Sequence, residues 1–320
     1  MTEGISLAIH RLAYVKVGVP DVDAAAEFYR DFGLAQSSGS QASFSTREGG
    51  VQLYLSEAPS RRLLEIAFGV DDVDDLEIVR RRLEGQGLSP LIRGSEFLTV
   101  TEPVSGFRAS ALVSSRTCAE AADPVMYNRP GRADRPNSRS IILDRNDAVR
   151  PRRLGHVVIG SKDQQTTQSF FIDGFGLRVR DDIPGLASFL SCSEDHHNVL
   201  VQQAPVNFLH HTAWEVDDVD DVGRGATRMI DKDPSRHVWG LGRHYIGSNY
   251  FWYLKDPAGS FCEYYADLDV ITDDTQWSAR RFHGTEALYT WGPPPPPSFN
   301  IPDDIRNLAP ESFTGHKSDR

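Results

Sequence analysis

RLAYVKVGVPDVDAAAEFYRDFGL (residues 11–34) returns as RLGHVVIGSKDQQTTQSFFIDGFGL (153–177), and this return decides the fold. Each copy reads as a strand, a loop and a helix closed by glycine, Gly33 in one and Gly176 in the other. A second pair follows the same logic: LLEIAFGVDDVDDLEIVRRRLEGQG (63–87) returns as LHHTAWEVDDVDDVGRGATRMIDKD (209–233). In both, an alternating strand runs into an Asp-rich stretch that suits the N-cap of a helix. Helix capping accounts for these Asp runs in both copies, and the spacing of a calcium loop is absent. The closing strands also correspond, TEPVSGFRA (101–109) with KDPAGSFCE (255–263). The pattern predicts an α+β chain of four βαβββ modules in two tandem domains, 1–127 and 151–270. NRPGRADRPNSRS (128–140) is polar and aperiodic, so 128–150 reads as a linker, and 271–320 is left as a tail.

Strand parity then assigns faces. Leu64, Ile66, Phe68 and Val70 alternate and are expected beneath the helix, leaving Glu65, Ala67 and Gly69 on the opposite, concave face. Transferred to the second copy, this puts His210, Thr212, Trp214 and Val216 in the core and His211 in the cup. The first strands agree, with Val157 and Ile159 matching Val15 and Val17, so His156 stands where the first copy has Tyr14.

Seven of the ten histidines lie between His156 and His244, whereas the first 155 residues contain only His10. Matching the closing strands sets Glu263 against Ala109. The second cup is therefore predicted to hold His156, His211 and Glu263, where the first holds Tyr14, Glu65 and Ala109. A single histidine is more often a satisfied core residue. Three ligand-type residues at equivalent module positions, absent from the sister domain, point to a metal. Two imidazoles and one carboxylate with open positions suit Fe(II) that activates O2, and Mn(II) satisfies the same ligands.

Bulk properties narrow the partners. A net charge of -11 argues against nucleic acid or an anionic membrane surface. No stretch reaches the 18 or so apolar residues of a membrane span. MTEGISLAIH lacks a basic segment followed by an apolar run, and Cys118, Cys192 and Cys262 are odd in number and widely spaced. Reduced thiols and a cytoplasmic location are the expectation.

GRHYIGSNYFWYLKDPAGSFCEYY (242–265) resembles the signature of the type I extradiol ring-cleavage catechol dioxygenases of the vicinal oxygen chelate superfamily. Gly242, His244, Tyr253, Asp256, Pro257, Gly259 and Glu263 carry the likeness, which spans roughly residues 10 to 268. Trp252 departs from it, standing where a smaller apolar residue is usual. The resemblance implies glyoxalase-like domains, each an open β-cup, with His156, His211 and Glu263 as metal ligands. It implies an acid/base role for His197, in the run HHNV, and contacts from His244 and Tyr253 to the substrate oxygens. The chemistry implied is cleavage of a substituted catechol by O2 beside the diol, giving a 2-hydroxymuconic semialdehyde-type product. A homo-oligomer, a tetramer in particular, is implied as well.

The C-terminal part is similar to the homoprotocatechuate 2,3-dioxygenase branch, which implies a tail folded back near the mouth of the active site. The five prolines 293–297 would brace it as a stiff extended segment. Where that branch has an arginine for a ligand carboxylate, this chain offers Trp239, which favours a neutral catechol; Arg280 or Arg281 could restore the contact. Phe189, Trp239 and Arg243 are candidates for the pocket wall. His196 and His210 sit beside stronger candidates with opposite parity, and His237, His283 and His316 read as surface residues. Two other readings stand beside the dioxygenase: a glyoxalase-like metal-dependent isomerase or lyase, and a non-catalytic module that holds a ligand in the cup.

Overall fold

In the computed structural model, residues 8–38, 42–284 and 287–308 are described, so His316 lies outside the described residues. The first repeat runs β1 (Ile9–Val19), α1 (Val22–Asp31), β2 (Ala35–Gln36), β3 (Ser43–Thr46) and β4 (Gly50–Glu57). It continues through β5 (Arg62–Val70), α2 (Val73–Gly85), β6 (Leu91–Arg93), β7 (Phe97–Thr101) and β8 (Arg108–Val113). The second repeat gives β9 (Arg153–Ser161), α3 (Gln164–Ser169), β10 (Arg178–Ile183), β11 (Ala187–Ser191) and β12 (Val199–Gln203). Then come β13 (Phe208–Glu215), α4 (Val219–Lys232), β14 (His237–Arg243), β15 (Tyr250–Lys255) and β16 (Phe261–Ala266). The tail adds β17 (Arg280–Arg281) and the single turn α5 (Pro297–Asn300).

The strands form two sheets, ordered β2-β3-β4-β1-β5-β8-β7-β6 and β14-β15-β16-β13-β9-β12-β11-β10-β17. In both, the opening strands of the two modules pair antiparallel at the centre, and each is flanked by the parallel closing strand of its own module. This is a mixed α+β fold of two repeated halves. The Asp runs behave as caps: Asp72 accepts from the amides of Asp74 and Asp75, and Asp218 from that of Asp221. Gly33 and Gly176 close the first helices at φ of 94° and 81°. The second copy has one residue more in this stretch. The chain absorbs it by winding Phe170–Phe175 as a π turn after α3.

One core serves both sheets. Phe32, just past α1, stacks on Tyr264 of β16 with ring centroids 3.9 Å apart, and Tyr264 donates to the Phe32 carbonyl. Phe68 and Phe107 meet Phe171 of the π turn. The segment between the sheets is anchored where Arg145 pairs with Asp218 and Asp221. The tail crosses the second sheet from edge to edge. At one edge β17 runs beside β10; at the other, the Trp291 carbonyl accepts from the Arg243 amide. The chain then turns back, ties Asp304 to Arg61 at 2.7 Å, and buries Leu308 against Phe208.

Two parity expectations need correction. A register shift between Lys16 and Val17 pairs them with Glu65 and Leu63, so Leu63 enters the core and Leu64 is left half-buried. The turn Glu102–Gly106 is one residue longer than Asp256–Gly259, as their closing hydrogen bonds show: the Gly106 amide reaches the carbonyl of Glu102, and the Gly259 amide that of Asp256. Ser110, not Ala109, is therefore the counterpart of Glu263. Ala67 pairs with both Tyr14 and Ser110, as Ala213 does with both His156 and Glu263.

Candidate metal centre

β9, β13 and β16 are adjacent, and each contributes one side chain to the same face. Ligand atoms of His156, His211 and Glu263 all lie within 4.8 Å of one another, and all three residues are buried. Glu263 Oε2 is 3.0 Å from His156 Nε2 and 3.4 Å from His211 Nε2. His211 Nε2 is buried without a hydrogen-bond partner. Burial holds the His211 imidazolium form down to a pKa of about 4, so the ring is neutral and its lone pair is free. For Glu263, burial alone would raise the carboxyl pKa. The charge and hydrogen bonds of the two histidines outweigh it and hold the group well below the usual carboxylate range. A carboxylate facing two imidazole nitrogens, one of them unpartnered, is a donor set that fits a divalent cation.

The first cup shows what these positions do without such a set. Tyr14 donates to Glu65 Oε1 at 2.9 Å, Ser110 to the same oxygen at 2.7 Å, and Arg108 to Oε2 at 3.1 Å. Every member is satisfied by a neighbour.

Around the triad stand the other histidines. The His197 ring is 4.3 Å from that of His156, and Phe189 closes on its other side at 5.2 Å. His197 Nδ1 faces His196 Nδ1 at 3.0 Å, while His196 Nε2 faces Asp181 Oδ2 at 2.9 Å. A carboxylate only accepts, so His196 carries its proton on Nε2 and takes the His197 Nδ1–H at its other nitrogen. His197 Nε2 is left bare. Burial, followed by the charges of the surrounding histidines, pushes the His197 pKa well below its ordinary value.

His244 Nε2 is 2.8 Å from the Tyr253 hydroxyl and 3.9 Å from Glu263 Oε1. Burial, reinforced by the Glu263 charge, raises the Tyr253 pKa well above that of a free phenol, so the hydroxyl is a donor to His244. Trp239 is buried, stacks parallel to Tyr253 at 5.6 Å and donates its indole N–H to the Pro293 carbonyl. It is a wall behind Tyr253. Arg243 corrects the expectation for it: next to His244 on the chain, it points the other way, pairs with Asp267 and lies 4.3 Å over Tyr250.

Two residues at the centre, Asn249 and Tyr265, were not singled out by sequence. Asn249 donates to Glu263 Oε1 at 3.1 Å and fixes that carboxylate. Tyr265, two residues beyond Glu263 and so on its face, lies 5.2 Å from His156 with its hydroxyl buried and unpartnered. It fits because Gly155 has no side chain; a Cβ there would sit 1.8 Å from the Tyr265 hydroxyl. His210, expected in the core, is the bulged residue between Leu209 and His211 and turns instead toward the tail. A separate cavity of about 510 Å³ is lined by Arg11, Arg178, Arg180 and Asp274 among others and includes none of the triad.

The family model of the Glyoxalase/Bleomycin resistance protein/Dioxygenase superfamily matches residues 11–96 and 153–264, both repeats and more than half the chain. The chain belongs to this superfamily. Among superfamily relatives, it is 29% identical to metapyrocatechase 2 of Cupriavidus necator over 308 residues, 91% of this chain and 92% of that one. The Mn(II)-bound glyoxalase from Novosphingobium aromaticivorans superposes with a TM-score of 0.74 at 24% identity, over 90% of this chain and 93% of that one. A variant of homoprotocatechuate 2,3-dioxygenase from Brevibacterium fuscum gives 0.73 at 21%, over 92% and 83%. These two structures share the superfamily fold. No helix among the described residues is long and apolar enough to cross a membrane.

Proposed function

We propose that this chain is an extradiol dioxygenase that opens the ring of a substituted catechol with O2 beside the diol. The carrying observation is the buried triad of His156, His211 and Glu263 with His197 and the His244–Tyr253 pair around it. The near full-length likeness to a metapyrocatechase supports the same reading. Fe(II) is the metal proposed, with Mn(II) satisfied by the same donors. When bound, the metal supplies a Lewis acid with open positions that acidifies the catechol hydroxyls and gathers both reactants.

The chain's own groups handle the protons. His244 Nδ1 is committed to the Leu288 carbonyl at 2.6 Å, so Nε2 is its basic atom and can take a proton from a catechol hydroxyl. Tyr253, held as a neutral phenol, can turn its O–H from His244 to a substrate oxygen. His197 enters with Nε2 bare, so it would accept the second catechol hydroxyl proton and return it to oxygen as the ring opens, leaving no net change of protons. Both oxygen atoms end in a yellow muconic semialdehyde-type product.

A neutral substituted catechol is the proposed substrate, because the neutral indole of Trp239 stands where the homoprotocatechuate branch has an arginine, and Arg280 and Arg281 are exposed on β17. Trp239 donates to the tail, and Arg243 pairs with Asp267. The test is anaerobic loading with Fe(II), then catechols and air, with O2 uptake and absorbance followed together. One O2 consumed per yellow product formed, with 3-methylcatechol giving a higher kcat/KM than a carboxymethyl catechol, is the expected result. Absence of O2 uptake with every catechol contradicts the activity, and the reverse order contradicts only the substrate.

A further inference from the structure

Two carbonyls of the C-terminal tail end on imidazoles of the candidate centre. The Leu288 oxygen is 2.6 Å from His244 Nδ1, and the Phe299 oxygen is 2.6 Å from His210 Nε2. A carbonyl only accepts, so His210 carries its proton on Nε2. Its Nδ1 is then a bare acceptor, and it faces His211 Nδ1 at 2.7 Å. Two nitrogens at that distance share one proton, which His211 must supply. His211 is thereby held as the Nδ1–H tautomer, with its Nε2 lone pair turned to Glu263. The bulge between Leu209 and His211 makes this geometry available, because it frees His210 from strict alternation and lets it reach the tail.

We propose that the docked C-terminal tail is a positioning element of the metal centre, acting through the Phe299 carbonyl and His210 to fix His211 in its metal-binding tautomer. This rests on the metal-binding role of the triad proposed above. The tail is seated by the Arg61–Asp304 pair, whose arginine also donates to the Leu209 carbonyl at 2.6 Å, and by Phe299 packed on His210, Tyr253, Trp239 and Phe261. Tail docking and metal affinity are then two sides of one equilibrium. A metal that binds more tightly to the docked form must hold the tail down by the same factor.

Mn(II) titration of the full chain, read by the electron paramagnetic resonance of free Mn(II), tests this without turnover. The wild type is expected to bind one ion. His210→Phe removes the acceptor for His211 Nδ1 and should weaken binding by about 10–100-fold, the usual effect of losing a ligand's orienting partner. A chain ending at Gly292, or the milder Asp304→Ala, should also weaken it. His210→Asn decides the route. Its Oδ1 can accept from His211 whether or not the tail is docked, so truncation should cost little or nothing in that background.

In the wild type, Mn(II) should also slow proteolysis of the tail. An equal truncation penalty in the wild-type and His210→Asn chains overturns the coupling, as does wild-type Mn(II) affinity in a folded His210→Phe chain. If His210→Phe does not fold, the His210→Asn comparison still decides. A wild-type chain that binds no Mn(II) overturns the metal centre itself, whereas normal binding with unaffected variants overturns only the role of the tail.

Discussion

His197 enters the cup as an acceptor because its other nitrogen is committed to His196, and His196 to Asp181. That chain separates its role from the ligands. His197→Asn is expected to retain the metal and to lose about 10²–10⁴-fold in kcat, the usual worth of a placed acid/base. Metal analysis beside steady-state kinetics checks it; wild-type turnover would remove His197 from the mechanism. Glu263→Ala, by contrast, should lose metal and activity together. The triad was legible in the sequence because the two copies differ at matched positions, and chance does not place three ligand types in one copy. The orienting roles of His196 and His210 were not legible. Strict alternation sends His196 and His210 away from their neighbours, and only the bulge at His210 and the bend at His196 undo that rule.

At the scale of elements, small insertions explain the misreadings. One extra residue in the turn after β7 moves the counterpart of Glu263 from Ala109 to Ser110, and one extra residue after α3 becomes a π turn. The Asp-Pro turn between β15 and β16, which aims Glu263, carries its own titration. Asp256 is fully buried, and burial lifts its pKa to about 6, against the backbone hydrogen bond from Ser260 and the more distant charge of Arg61.

A carboxyl raised in the folded state stabilises most below its unfolded pKa of about 4, and that contribution fades as pH rises through about 6. Asp256→Asn removes the titration. Its stability relative to wild type should therefore rise between about pH 4 and pH 6, by up to about 3 kcal/mol, and stay level above. Denaturant unfolding across that range is the measurement, and a flat difference would contradict the assignment.

At the scale of the whole molecule, the duplication predicted two modules per sheet, and the observed strand orders follow it. The sharing of one core was beyond the sequence, since contacts such as Phe32 on Tyr264 join residues far apart in the chain. The first domain keeps the architecture while Tyr14, Glu65 and Ser110 satisfy one another, so its part is to pack behind the second. Phe32→Ala should cost about 3–5 kcal/mol and lower the melting of both domains together. Calorimetry showing the second domain melting unchanged would mean that the domains are independent.

The central claim is that one divalent cation binds between β9, β13 and β16. Anomalous diffraction at the iron edge, from crystals soaked anaerobically in ferrous salt, addresses it most directly. A single strong peak within bonding distance of His156 Nε2, His211 Nε2 and the Glu263 carboxylate is the result predicted here. A fully soaked crystal with its iron elsewhere, or with those three side chains turned apart, would contradict it.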